Sequence, residues 1–234
     1  MIPFILATSL FAVPLPARAA DRAPALLELF TSQGCSSCPP ADDLLAELAA
    51  RQPVPGIQII PLAFHVDYWN HLGWTDPFAA AAYTRRQYAY AASLGDASVY
   101  TPEAVINGSV GVVGHHRGAI LDALKPLARL GLRREGGRLL VTGLRPGLEL
   151  WVAVAEDGLS TAVGRGENAG QRLAQPAVVR ALWTVAAKGE RVWVPLKWEA
   201  GWDRHRLRLV AFQARAEGAV VESAGSCAWL DGPS

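Results

Sequence analysis

Two cysteines stand two residues apart where an apolar run gives way to a helical one, and no other local feature restricts the fold of this chain as much. In Leu29-Phe30-Thr31-Ser32-Gln33-Gly34-Cys35-Ser36-Ser37-Cys38-Pro39-Pro40, the stretch before the pair, Ala25 to Phe30, is strand-like. The stretch after it, Asp42 to Arg51, is helix-like, with Leu44, Leu45 and Leu48 at helical spacing. A strand that turns into a helix at such a pair sets both sulfurs at the helix N-terminus, where partial positive charge and free N–H groups favour a thiolate. That is the layout of a thiol–disulfide redox site. Two other readings stay open at this level. Half of a zinc site needs two more ligands at similar spacing, and the only other cysteine is Cys227. A purely structural disulfide across so short a loop would constrain the unfolded chain little.

The first 20 residues predict a secretory signal. Met1 to Leu15 is almost wholly apolar and Ala17-Arg18-Ala19 supplies the small residues of a cleavage site, although a positive n-region is missing. The segment is short for a membrane span and is interrupted by Pro14 and Pro16, so cleavage is expected and no membrane span remains. Export would place the cysteines where a disulfide persists. The roughly 215 residues that follow suffice for one large domain or two ordinary ones. With 51% hydrophobic and 18% charged residues the chain is of globular composition, and its net charge of +1 gives no reason to invoke nucleic acid or an acidic membrane.

Beyond the first helix, Ile57 to Val66 is a long apolar run that reads as a buried strand. An aromatic loop, His65-Val66-Asp67-Tyr68-Trp69-Asn70-His71-Leu72-Gly73-Trp74, leads into an Ala-rich helix from Pro77 to Leu94 that ends at Gly95. Glu103 to Asn107 and Val110 to Val113 read as short strands about the hairpin signal Asn107-Gly108. Ala119 to Leu130 reads as a third helix kinked at Pro126. Strand, helix, strand, helix, hairpin and helix, with crossovers implying a parallel first pair, is the α/β element order of a thioredoxin-like fold.

The texture changes from about Arg138. Arg138 to Thr142, Glu149 to Ala155, Val178 to Val185, Arg191 to Leu196, Arg206 to Ala214 and Ala219 to Glu222 are short strand-like runs separated by Gly-containing turns. They predict a smaller all-β, sandwich-like C-terminal domain over 135–234 following a thioredoxin-like domain over 21–134. Trp151, Trp183 and Trp193 are expected in its core. Gly164-Arg165-Gly166-Glu167-Asn168-Ala169-Gly170 has the wrong glycine spacing for a phosphate loop and reads as a surface loop. Cys227 lies beyond the last of these runs.

A reactive thiol needs more than a helix terminus, whose ~1–2 kcal/mol lowers a pKa of about 8.5 by about one. Ser36 and Ser37 bring hydroxyls without charge, and Asp42 and Asp43 would oppose ionisation if near. His65, at the C-terminal end of the second strand beside that of Cys35, is the best remaining candidate, with a hydrogen-bonded structural histidine as the alternative. Thr101-Pro102 precedes the third strand, where thioredoxin-like folds carry a cis-proline facing the cysteine pair.

Several runs resemble one bacterial family: Glu28 through Asp42 around the cysteines, His65-Val66-Asp67-Tyr68-Trp69, Leu72-Gly73-Trp74 with Asp76-Pro77-Phe78, Thr101-Pro102 through Asn107-Gly108, and Gly166-Glu167-Asn168-Ala169-Gly170 with Val178-Val179-Arg180. The family is the one catalogued as domain of unknown function 1223, and the resemblance implies a secreted or periplasmic thioredoxin-like protein. Gln175-Pro176-Ala177 departs from the more polar residues expected there.

The expected function is an exported thiol–disulfide oxidoreductase acting on protein or small-molecule thiols and disulfides without a cofactor. Cys35 is the exposed attacking sulfur, Cys38 resolves it, and His65 and Pro102 complete the site. The alternative is a metal-binding or copper-chaperone module in which both cysteines and His65 hold a soft ion. A binding protein with a disulfide staple is the third reading. No nucleophile elbow or paired-carboxylate motif points to a hydrolase.

Overall fold

The computed structural model describes residues 22–215 and 220–230; residues 1–20, on which the expectation of a secretory signal falls, lie outside the described residues. Strands β1 (Ala23–Thr31) and β2 (Ile57–His65) run parallel, in register from Ala23 beside Ile57 to Thr31 beside His65. Only Ala23 and Gln58 in these strands escape burial, because both faces of the sheet are covered here. Helix α1 (Pro39–Arg51) makes the crossover that a parallel pair requires. Its Ala41, Leu45 and Leu48 recur at helical spacing and pack on Leu27, Leu29 and Ile59. The helix starts earlier than the sequence pattern suggests. Pro39 and Pro40 occupy its first positions, where an N–H would have no intrahelical partner.

Helix α2 (Ala81–Leu94) ends at Gly95, whose φ of 78° supplies the left-handed cap. It begins after Pro77 because Asp76 holds a turn there, its carboxylate accepting from Phe78 N–H at 2.9 Å. Strands β3 (Glu103–Ile106) and β4 (Val110–Val113) form the expected hairpin, with Asn107 and Gly108 at φ 51° and 62°. β3 lies antiparallel to β1. Helix α3 (Arg117–Ala123) is shorter than expected and does not continue through a kink. Pro126 disfavours helical backbone at Lys125, and the chain leaves extended as β5 (Ala128–Arg129).

The remaining strands are β6 (Gly131–Glu135), β7 (Arg138–Thr142), β8 (Glu149–Glu156), β9 (Leu159–Ala162), β10 (Arg172–Gln175), β11 (Val178–Val185), β12 (Arg191–Pro195), β13 (Leu207–Ala214) and β14 (Val221–Ala228). The result is a mixed α/β structure dominated by one large mixed sheet, in the order β4-β3-β1-β2-β11-β8-β13-β14-β5. β11 joins the free edge of β2 in parallel at Val178 beside Ala63, where Ala63 N–H donates to the Ala177 carbonyl at 2.8 Å. The C-terminal strands do stack in two layers, but one layer is the continuation of the N-terminal sheet. The other is β12-β7-β6, whose Leu139, Val141 and Val194 pack on Leu150, Val152 and Leu209.

One core cluster therefore runs through both halves of the chain, joining Ile60, Leu62 and Phe64 to Ala153, Val179 and Phe212. Arg86 is buried at this junction. It donates to Glu28 at 2.8 Å and to the Tyr90 hydroxyl at 2.7 Å, with its guanidinium within 5.6 Å of the Phe64, Tyr90, Trp151 and Phe212 ring centroids. Trp151, Trp183 and Trp193 are only half-buried; the buried tryptophans among the described residues are Trp202 and Trp229. Cys227 lies within β14 opposite Leu209, not beyond the strands, and takes no part in a disulfide.

Candidate functional site

The chain between β1 and α1 closes two successive tight turns, Cys35 N–H donating to the Ser32 carbonyl and Cys38 N–H to the Cys35 carbonyl, both at 3.2 Å. Cys38 then serves as the N-cap residue of α1, and Cys35 and Cys38 are joined in a disulfide with their Cα atoms 5.4 Å apart. Both cysteines are fully buried while Ser36 and Ser37 between them are exposed, so Cys35 is not the exposed sulfur expected from its position. The reason is tertiary: elements distant in sequence close over the turn.

Ser37 connects the cysteines to the expected proline. Its Oγ lies 3.3 Å from Cys35 Sγ and, at 3.5 Å, donates to the carbonyl of Thr101. The Thr101-Pro102 bond is cis. Pro102 is seated against α1 because Gly114 has no side chain: a Cβ there would meet Leu29 Cδ1 at 2.7 Å, Pro102 Cβ at 3.0 Å and Ala41 Cβ at 3.2 Å. The aromatic loop holds the same segment, Trp69 Nε1 donating to Thr101 Oγ1 at 2.7 Å.

His65 is buried at the end of β2, with Nδ1 2.6 Å from Asp76 Oδ2. The same Asp76 oxygen accepts from Gln33 N–H at 2.8 Å, two residues before Cys35. His65 thus reaches the cysteine turn through Asp76. Burial alone would raise the Asp76 carboxyl, but His65 and the N–H groups of Gln33 and Phe78 outweigh it and hold it below the usual carboxylate range. Asp42, one turn after Cys38, behaves oppositely. Burial pushes its carboxyl from 3.8 up to about 7, against the lowering effect of His65 and the Thr31 hydroxyl, with Asp76 and Asp43 adding to the rise.

The Gly164-to-Gly170 run is not merely a surface loop. Asn168 is buried, and its Nδ2 donates to the Gln33 carbonyl at 2.9 Å and the Cys35 carbonyl at 3.0 Å. Its neighbour Glu167 accepts from Ser36 N–H at 2.9 Å, and the Ser36 side chain and backbone together keep that exposed carboxyl below its ordinary range. Gln33 is clamped further, accepting from Trp74 Nε1 and donating to Thr161 Oγ1, both at 3.0 Å. Asp42, Asp76, Glu167 and Asn168 were not expected as site residues. The signal for all four lay in the family-like runs that contain them.

Among the described residues, no group of three or more His, Cys, Asp or Glu side chains is placed to hold a metal ion. Nor is any described helix long and apolar enough to cross a membrane.

Over residues 26–213 the chain matches the family described as Protein of unknown function (DUF1223). It belongs to this family. Among solved structures it is similar to the crystal structure of a protein from Agrobacterium tumefaciens, at 29% identity over 92% of this chain and 98% of that one, with a TM-score of 0.76. It is also similar in fold to HBP35 of Porphyromonas gingivalis, at 15% identity over 90% of this chain and 76% of that one, with a TM-score of 0.59. No curated protein matches it.

Proposed function

We propose that the chain is an exported thiol–disulfide oxidoreductase with a thioredoxin-like core, acting on protein or small-molecule thiols and disulfides. The observation that carries this reading is the bonded Cys35–Cys38 pair at the N-terminus of α1, one hydrogen bond away from the Thr101-Pro102 segment through Ser37. The strand order β4-β3-β1-β2, with α1 crossing between the parallel pair, supports the thioredoxin-like core. A persistent disulfide suits an oxidising compartment, which supports export.

In the exchange, a substrate thiolate attacks Cys35 Sγ and the Cys35–Cys38 bond breaks. A mixed disulfide forms at Cys35, and the electron pair passes to Cys38 Sγ, which takes up a proton. A second substrate thiolate displaces Cys35, so that one substrate disulfide forms for each protein disulfide reduced; the reverse sequence oxidises the protein. Cys35 and Cys38 are the redox atoms, Pro102 lies in the segment facing them, and His65 positions the turn through Asp76. Since both cysteines are fully buried, exchange needs the segments packed around the turn to give way.

Equilibrating the folded protein with glutathione buffers, with alkylation trapping of thiols, tests the reading. Reversible two-electron reduction of Cys35–Cys38, faster than global unfolding and without participation of Cys227, is expected. A disulfide that no thiol reduces short of unfolding is a staple and overturns it.

A further inference from the structure

The two cysteines are held in place by different means. Cys38 belongs to α1, its carbonyl accepting from Ala41 N–H at 2.9 Å and from Asp42 N–H at 3.1 Å. Cys35 stands before the helix. The local bond that ties it to Cys38, from Cys38 N–H to the Cys35 carbonyl at 3.2 Å, lies at the long end of the range for an amide donor. Shorter bonds reach the same stretch from the β9–β10 hairpin. Asn168 Nδ2 supplies one N–H to the Gln33 carbonyl at 2.9 Å and the other to the Cys35 carbonyl at 3.0 Å, so both donors of one carboxamide are spent on this turn. Asn168 is 1% exposed, and Gln33 and Cys35 are buried with it, so removing the carboxamide takes a donor from two carbonyls that solvent does not reach.

The hairpin stands apart from the main sheet and grips the turn at two further points. Thr161 Oγ1 accepts from Gln33 Nε2 at 3.0 Å, and Glu167 accepts from Ser36 N–H at 2.9 Å. Its foot is fixed to the body of the protein, where Asp157 accepts from Ala177 N–H at 3.1 Å and binds Arg208 through both oxygens at 2.8 and 2.9 Å. The hairpin is therefore an arm anchored at its base, and its tip ends on the backbone of Cys35.

We propose that Asn168 is a positioning residue that sets the equilibrium between the disulfide and the dithiol, by holding the Cys35 backbone where its sulfur meets that of Cys38. The inference rests on the thiol–disulfide reading of this pair. With glutathione as reductant, the Cys35–Cys38 bond breaks and one glutathione disulfide forms. Two electrons pass to the protein sulfurs, and the protons of two glutathione thiols end on Cys35 and Cys38. The oxidised side of this balance needs the two sulfurs in bonding contact, and the reduced side does not. Bonds that fix Cys35 against Cys38 therefore favour the disulfide, as holding two reacting groups together favours their union. Linkage makes the effect reciprocal: the disulfide favours the grip of Asn168, and reduction loosens it. The redox state is then felt in a hairpin whose contact residue lies 133 positions further along the chain.

Equilibration of the full chain and its Asn168→Ala variant with glutathione buffers at neutral pH, with alkylation trapping of thiols, tests this. The variant should shift the exchange constant at least threefold toward the dithiol. Asn168→Asp, which keeps the shape but not the donor pair, should shift it as far. A stability cycle in urea needs no thiol exchange and so stands apart from the oxidoreductase reading. In it Asn168→Ala is placed in the oxidised chain and in the Cys35→Ser/Cys38→Ser chain, so that the loss of the cross-link itself cancels. The substitution should lower the unfolding stability of the oxidised chain by a factor at least threefold greater. Such a difference in a protein whose disulfide resists every thiol short of unfolding overturns the oxidoreductase reading and upholds the role of Asn168. Where the variant does not fold, hydrogen exchange decides: amides of β9 and β10 should exchange at least threefold faster in the Cys35→Ser/Cys38→Ser chain than in the oxidised parent. An exchange constant unmoved by Asn168→Ala, equal costs in both chains, or equal protection of the hairpin in both overturns the proposal and leaves Asn168 a structural support.

Discussion

At the scale of single residues, the site sets two carboxyl groups in opposite roles. Glu167 accepts the Ser36 N–H and so sets a negative charge against the residue next to Cys35. In the reduced protein, Glu167→Gln should lower the Cys35 thiol pKa and speed alkylation at neutral pH a few-fold. Because Glu167 is exposed, the gain should shrink at about 1 M salt, where charges are screened within about 3 Å. Alkylation rate against pH, at two salt concentrations, checks both statements. Asp42 is the buried counterpart. Its carboxyl titrates at about 7 when folded and near 3.8 otherwise, so the protonated form is what the fold favours. Stability is full below about pH 4 and is lost as pH rises through about 7, by at most about 4 kcal/mol. Asp42→Asn should remove that slope, leaving a thermal midpoint nearly level where that of the parent chain falls. Calorimetry of both proteins across this range decides it.

At the scale of elements, the meeting of α1 with the Thr101-Pro102 segment depends on a position with no side chain. Gly114→Ala puts a methyl group 2.7 Å from Leu29 Cδ1 and 3.0 Å from Pro102 Cβ. Overpacking of this kind costs about 1–3 kcal/mol. Urea denaturation should show a lower midpoint with an unchanged slope, and in the folded variant the reactivity of the cysteines should change with the spacing to Thr101. The elements themselves were largely legible. The apolar runs, the Asn107-Gly108 turn and Gly95 marked β1, β2, the hairpin and the end of α2 for local reasons of burial and backbone conformation. Where the reading failed, a local signal was outweighed by a partner distant in sequence. Ala119 to Leu130 has helical composition, but its second half pairs as β5 beside β14. Strands β9 and β10 carried too few apolar residues to be noticed, and they form a hairpin standing apart from the main sheet.

At the scale of the whole molecule, the edge of β2 is covered by β11, and Arg86 binds Glu28 and Tyr90 from the first half while lying over Trp151 and Phe212 of the second. A fragment of residues 22–134 should therefore not fold by itself. It would expose Ile60, Leu62 and Phe64 and an unpaired parallel edge, and should melt without a cooperative transition while the full chain unfolds cooperatively. A cooperative transition in the fragment would instead establish an independent N-terminal domain. The sequence alone determined the cysteine pair at a strand-to-helix junction, the parallel β1–β2 pair and the candidate His65, because each follows from periodicity, turn chemistry or the order of neighbouring elements, while the candidate Pro102 came from the resemblance to thioredoxin-like folds. Only the tertiary structure decided that the C-terminal strands extend the same sheet, that Cys35 is covered, and that Glu167 and Asn168 complete the turn from over 130 residues away. Those outcomes depend on which open edge a strand meets and which buried carbonyl needs a donor, and neither is written in a local stretch of chain.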